Sequence, residues 1–304
     1  MHYAIIGTGA IGGYYGGKLA HAGNDVHFLF HSEYETAARR GLRVESPGGD
    51  FTVWPIRAYR DTRAMPPCDA VIVALKTTVN AQLPDLLRPV LKPGGLVLLI
   101  QNGLGMEEEL ASALPPDTSV AGGMAFICSN RTGQASVRHL DYGKLTVGLH
   151  SGDESLCRRV LADMEAAGIE TAWAPDLQEA RWRKLVWNIP YNGLCVALNT
   201  TTDEIMRYEP SRSLVRTLME EVIGGANANG VAIPLSFADD MLRSTDRMRP
   251  YKPSMRLDYD NRRPLEIQSI YTNPLLSARA HGSGMPRVEA LERQLRFIEH
   301  SYLK

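Results

Sequence analysis

The stretch Tyr3-Ala4-Ile5-Ile6-Gly7-Thr8-Gly9-Ala10-Ile11-Gly12 decides the fold of this chain. Tyr3 to Ile6 form a short apolar run suited to a strand. The next six residues supply GxGxxG spacing, and Tyr14 to His21 continue at helical period. Each glycine answers a different need. Gly7 makes the tight turn, Gly9 leaves room for a pyrophosphate, and Gly12 lets the helix lie close on the strand. The unpaired amides and positive dipole end of that helix suit phosphate oxygens. Following a strand, opening a helix and lying at the head of the chain, the motif predicts a dinucleotide site on Gly7, Thr8, Gly9, Ala10, Ile11 and Gly12.

Composition sets limits. At 304 residues the chain suits two domains. A net charge of −1 points to no nucleic acid and no anionic membrane surface. Cys68, Cys128, Cys157 and Cys195 lie far apart with no CxxC, which disfavours a disulfide framework or a zinc site, so no metal is expected. Met1 runs almost directly into the first strand, leaving no room for a signal peptide, and no apolar run has bilayer length. The expectation is a cytoplasmic protein.

The second strand covers residues 25–30 and ends at His31-Ser32. NAD sites usually carry Asp or Glu at this point, which would repel a 2′-phosphate. Here no carboxylate ends the strand, although Glu33 is close, and His31 and Ser32 can donate to a phosphate. NADP is therefore the expected cofactor. Arg39 and Arg40 follow on the next helix, where an arginine pair is more often a solvated face.

Residues 42–56 read as a β-excursion with Ser46-Pro47-Gly48-Gly49 as its turn. Residues 69–75 and 96–100 are nearly continuous apolar runs, as in strands buried on both faces of a parallel sheet. Between them a helix is expected over 81–91, closed by Lys92-Pro93-Gly94-Gly95. The two strands end at Lys76 and Asn102, and ligands of open α/β sheets bind beyond strand carboxyl ends. Shorter, more polar antiparallel strands are expected over 119–149 with a turn at Asn130-Arg131-Thr132-Gly133. A helix over 154–167, a last strand over 169–173 and a hinge at Ala174-Pro175-Asp176 follow. The pattern is helical thereafter, with breaks near 230–234, 250–254 and Asn273-Pro274. The expected architecture is α/β: a Rossmann-type dinucleotide-binding domain over residues 1–173, then an all-helical domain over 174–304.

In the helical half Lys184, Asn188 and Asn192 recur every four residues among apolar neighbours, which places one ammonium and two carboxamides on one helix face. Such groups need partners. On spacing alone a reacting lysine and a structural lysine held by a carboxylate stand level.

Five segments in order resemble the ketopantoate reductase (2-dehydropantoate 2-reductase) family over nearly the whole chain. They are GTGAIGG at Gly7, VALK at Lys76, QNGLG at Asn102, the KLxxNxxxN run from Lys184, and Pro253-Ser254-Met255 followed by Asp258 and Arg263-Pro264-Leu265-Glu266-Ile267. The resemblance implies NADPH-dependent reduction of a 2-oxoacid, ketopantoate to pantoate, in pantothenate biosynthesis. It makes Lys184 the proton donor with Glu266 in support, and Asn102, Asn188, Asn192 and Ser254 substrate-binding residues. Lys76, Asn102 and Glu266 fall where cofactor and substrate meet. The implied partners are a small-molecule 2-oxoacid and a second copy of the chain in a homodimer. A dehydrogenase of similar architecture acting on another hydroxyacid, and a non-enzymatic NADP-sensing protein, are the other readings. A sensor has no need of Lys184, Ser254 and Glu266 together.

Three departures from the family pattern border the substrate pocket. His31 replaces an arginine for the 2′-phosphate. Pro190 lies between the asparagines and Gly193 stands where relatives tend to place proline, and an internal proline bends a helix. Tyr271-Thr272 occupies a place usually held by glycine.

Overall fold

The computed structural model describes residues 1–303 and contains two compact units. The first comprises Met1–Gln101 and Met106–Leu177, and the second Asn102–Gly105 and Gln178–Lys304.

The first unit is built on ten strands: β1 (His2–Ile6), β2 (Asp25–Leu29), β3 (Leu42–Glu45), β4 (Phe51–Val53), β5 (Arg57–Tyr59), β6 (Cys68–Val73), β7 (Leu91–Leu99), β8 (Ser119–Gly133), β9 (Ser136–Ser151) and β10 (Thr171–Trp173). They form one sheet in the order β4-β3-β9-β8-β7-β6-β1-β2-β5, with β10 on β9. Strands β8, β7, β6, β1, β2 and β5 are mutually parallel, and β9 returns antiparallel to β8. Helices α1 (Ala10–His21), α2 (Tyr34–Arg40), α3 (Leu83–Leu87), α4 (Met106–Ala113) and α5 (Glu154–Ala166) belong to this unit.

Strand alternation explains the continuous apolar runs. Tyr3, Ile5, Ala70, Ile72, Leu96 and Leu98 pack into one core. Their neighbours Ala4, Ile6, Val71, Val73, Val97 and Leu99 pack into another. Both faces of the central sheet are thus covered, and neither face tolerates a polar position.

Three local expectations in this unit are corrected. The helix expected over 81–91 is a 3₁₀ segment Thr77–Gln82 followed by the single-turn α3, and Leu91 already belongs to β7. Pro84 suits only the first turn of a helix, so it starts α3 late. Lys92-Pro93-Gly94-Gly95 is an excursion within β7: the pairing with β6 jumps from Cys68↔Leu91 to Ala70↔Leu96. Lys92 Nζ holds it to Asp69 at 2.5 Å, and the Gly94 amide donates to Asp117 at 2.9 Å.

Asn130–Gly133 is not a turn. These residues stay in a long hairpin, with Asn130↔Arg138, Arg131↔Val137 and Gly133↔Ser136 paired. The reversal falls on Gln134-Ala135, where Ala135 has φ 50°. The strands are 15 and 16 residues long, longer than their polar composition suggests.

The second unit is helical: α6 (Leu177–Ala197), α7 (Thr202–Arg207), α8 (Glu209–Ala228), α9 (Ser236–Asp246), α10 (Ser254–Asp260), α11 (Asn273–Ala280) and α12 (Pro286–Tyr302). A single core including Trp182, Val186, Leu218, Val222, Ile270 and Val288 holds them together. The helix α6 runs through Pro190 without interruption. The break expected at Asn273-Pro274 is absent. A π-helical segment, Gln268–Thr272, leads straight into α11, and Pro274 sits in its first turn where no amide is needed. No helix among the described residues is long and apolar enough to cross a membrane.

Candidate active site

In the first unit the turn between β1 and α1 has the form the glycines predict. Gly7 has φ 101°, and a Cβ there would lie 2.7 Å from the Leu75 amide nitrogen. A Cβ on Gly12 would strike the Gly7 carbonyl oxygen at 2.2 Å. A Cβ on Gly9 would meet nothing within 4 Å, so Gly9 opens onto free space at the N-terminus of α1. The first turn of α1 carries no acidic residue. Open space, helix amides and absent negative charge together fit a pyrophosphate. Thr8 donates from Oγ1 to the Leu29 carbonyl at 2.9 Å, tying the turn to the end of β2.

His31 and Ser32 are exposed just beyond β2. Glu33, by contrast, is buried and forms an ion pair with Arg131 of β8. Lys76 precedes the 3₁₀ segment at the end of β6. The neighbouring strand ends are joined by Gln101, which donates to the Leu75 carbonyl at 2.9 Å and to Asn80 Oδ1 at 2.7 Å.

At the other end of this sheet Asp25 approaches His2 at 3.2 Å and His27 at 3.0 Å and also pairs with Arg57. The Arg57 guanidinium meets its charge.

The remaining predicted residues, Asn102, Lys184, Asn188, Asn192, Ser254 and Glu266, all belong to the second unit. The segment Asn102–Gly105 is docked on the π-helical residues. The Leu104 amide donates to the Ser269 carbonyl at 3.0 Å, and Asn273 Nδ2 donates to the Leu104 carbonyl at 2.7 Å. A Cβ on Gly103 would lie 2.5 Å from the Ser269 carbonyl oxygen, so this approach requires glycine. Asn102 is thereby placed within 3.4 Å of Asn188, whose Nδ2 donates to its Oδ1.

Lys184 and Asn188 are consecutive steps on one face of α6, whereas Asn192 serves a different contact. Its Oδ1 accepts the Met255 amide at 3.1 Å, fixing the start of α10 beside Ser254. Glu266 is 4 % exposed and ends the irregular segment before the π-helix.

The Lys184 ammonium is lowered from its ordinary range to about 7. Burial is the largest cause, the nearby Arg181 guanidinium adds to it, and Glu266 pulls the other way. Part of the Lys184 surface remains accessible, but the charged end sits where desolvation outweighs its carboxylate. Burial of α6 in its core decides which influence prevails.

Two residues went unread. Arg181 lies three positions before Lys184 on the same helix and is fully buried; an arginine at that spacing among apolar residues was the available signal. Arg131 lies 98 positions from Glu33, and no local pattern joins them.

Comparison with known proteins agrees with this geometry. Residues 3–152 match the family described as ketopantoate reductase PanE/ApbA, and residues 176–299 match the C-terminal part of the same family. A 2-dehydropantoate 2-reductase from Nostoc is 49 % identical over 98 % of this chain and 95 % of its own. The crystal structure of 2-dehydropantoate 2-reductase from Geobacter metallireducens superposes with a TM-score of 0.94 at 44 % identity, covering 97 % of this chain and 99 % of its own. That from Methylococcus capsulatus gives 0.90 at 32 % identity over 100 % and 98 %. With both halves matched and the relatives aligned end to end, the chain belongs to the ketopantoate reductase family.

Proposed function

We propose that this protein reduces 2-dehydropantoate to pantoate with NADPH, a step of pantothenate biosynthesis, in the cytoplasm. Residues 1–173 act as the nucleotide domain and 174–304 as the catalytic domain in this reading. The observation that carries it is the half-buried Lys184, whose ammonium is lowered to about 7, with the buried Glu266 close enough to act on its charge and Asn188 one helical turn away.

The bound cofactor supplies a hydride to the C2 carbonyl carbon of the oxoacid. As negative charge builds on the carbonyl oxygen, the Lys184 ammonium stabilises it and gives up a proton to form the hydroxyl. A proton affinity near neutrality suits a donor that must be protonated before the reaction and release its proton during it. Glu266 opposes the loss of that proton and orients the ammonium. Asn188, held by Asn102, and Ser254, positioned through the Asn192–Met255 contact, supply neutral donors and acceptors for the carboxylate and hydroxyl of the substrate.

His31, Ser32 and the absence of a free carboxylate at the end of β2 support NADPH over NADH. A homodimer is part of the proposal, supported by the surface groove lined by Ala197, Ile298 and Phe297, the last 74 % exposed. The loss of NADPH absorbance across a panel of 2-oxoacids tests the activity. Turnover of ketopantoate well above the other acids is expected, and no turnover of any 2-oxoacid defeats the reading.

A further inference from the structure

Glu33 is the first carboxylate after β2, at the point where dinucleotide folds read the 2′ position of the adenosine ribose. Left free, it would accept a hydrogen bond from a 2′-hydroxyl and repel a 2′-phosphate. It is not free. Its side chain is 8 % exposed and ion-paired with Arg131, which reaches it from the far end of β8. Its backbone is also committed, because the Glu33 carbonyl accepts the Ala37 amide at 2.9 Å in the first turn of α2. A second contact repeats the arrangement one turn later, where Thr36 donates to Gln134 at the tip of the β8–β9 hairpin. The hairpin therefore clasps α2 at two points. A carboxylate this deep is costly to leave without a partner. The groups left exposed just beyond β2 are His31 and Ser32, both donors.

We propose that Arg131 determines the preference for NADPH by holding Glu33 in this buried pair, out of reach of the ribose. This rests on the NADPH reading of the preceding section. Arg131 is a positioning residue: it acts on the cofactor through the carboxylate that it neutralises. The departure at His31 then becomes intelligible, since discrimination is achieved by withdrawing a negative charge as well as by presenting a positive one.

The test is calorimetric titration of the substrate-free protein with NADPH and with NADH at low ionic strength. The native protein is expected to bind NADPH more tightly. Arg131→Met is expected to weaken NADPH by about tenfold or more, the scale of one uncompensated like charge, with NADH unchanged or tighter. Adding Glu33→Gln to Arg131→Met is expected to restore NADPH affinity, because no charge remains to repel the phosphate. Equal loss of NADPH affinity in the single and double variants would overturn the proposal, since Arg131 would then act directly on the phosphate. An unchanged NADPH to NADH ratio in Arg131→Met would overturn it as well. If Arg131→Met does not fold, Arg131→Lys replaces it: a lowered ratio restored by Glu33→Gln supports the proposal, and an unaltered ratio defeats it. Absence of any NADPH preference in the native protein is a separate result, which defeats the underlying cofactor reading.

Discussion

The hydroxyl of Tyr271 donates to the Ile189 carbonyl of α6 at 2.8 Å, and a Cβ on Gly193 would lie 2.6 Å from that same hydroxyl. Tyr271 and Gly193 are two of the positions at which the sequence departs from the family pattern. They prove to be one feature: the phenol occupies the space that a side chain on α6 would need. Gly193→Ala is therefore expected to lower stability by about 1–3 kcal/mol through overpacking against Tyr271 and Leu291. Chemical denaturation checks this, and an Ala variant as stable as the native protein would show that the phenol moves aside freely.

Lys184→Ala should cut turnover by about two to three powers of ten, the scale for loss of one electrostatic donor. NADPH affinity should be unchanged, because the dinucleotide turn belongs to the first unit. The melting temperature should not fall at pH 8. With its folded value near 7 against an ordinary 10.5, Lys184 takes up a proton on unfolding between those values. It opposes folding there, and stability rises with pH through that window. A clear fall in melting temperature with turnover per folded molecule preserved would make Lys184 structural.

The same lowered value predicts the pH profile of the reaction. In the proposed reaction Lys184 must be protonated to act, so kcat/KM should be level below about 7 and fall as pH rises through it. Glu266 favours the ammonium, so Glu266→Gln should move that limb to lower pH. A limb that stays in place would separate Glu266 from the proton donor.

Asn192→Ala removes the acceptor of the Met255 amide. The orphaned buried donor should cost about 1–3 kcal/mol, and the displaced Ser254 should raise KM more than it lowers kcat. Steady-state kinetics with ketopantoate check the division. A loss confined to kcat would mean that Asn192 meets the reacting atoms instead.

Much of this protein was legible in its residue order, because the signals concerned are local. Gly7, Gly9 and Gly12 report backbone demands made within six residues, and the apolar runs at β6 and β7 report burial on both faces of a sheet. The KLxxNxxxN run reports one face of a helix. The turn of the β8–β9 hairpin and the excursion in β7 were misplaced, since Asn-, Gly- and Pro-containing segments look like ends of elements when long-range pairing in fact carries the strand through them. Four matters waited for the tertiary structure: the depressed proton affinity of Lys184, the diversion of Asn192 to Met255, the Glu33–Arg131 pair and the fit of Tyr271 against Gly193. Desolvation, charge neutralisation and steric fit depend on which residues are brought together by folding, and here the partners stand as many as 98 positions apart.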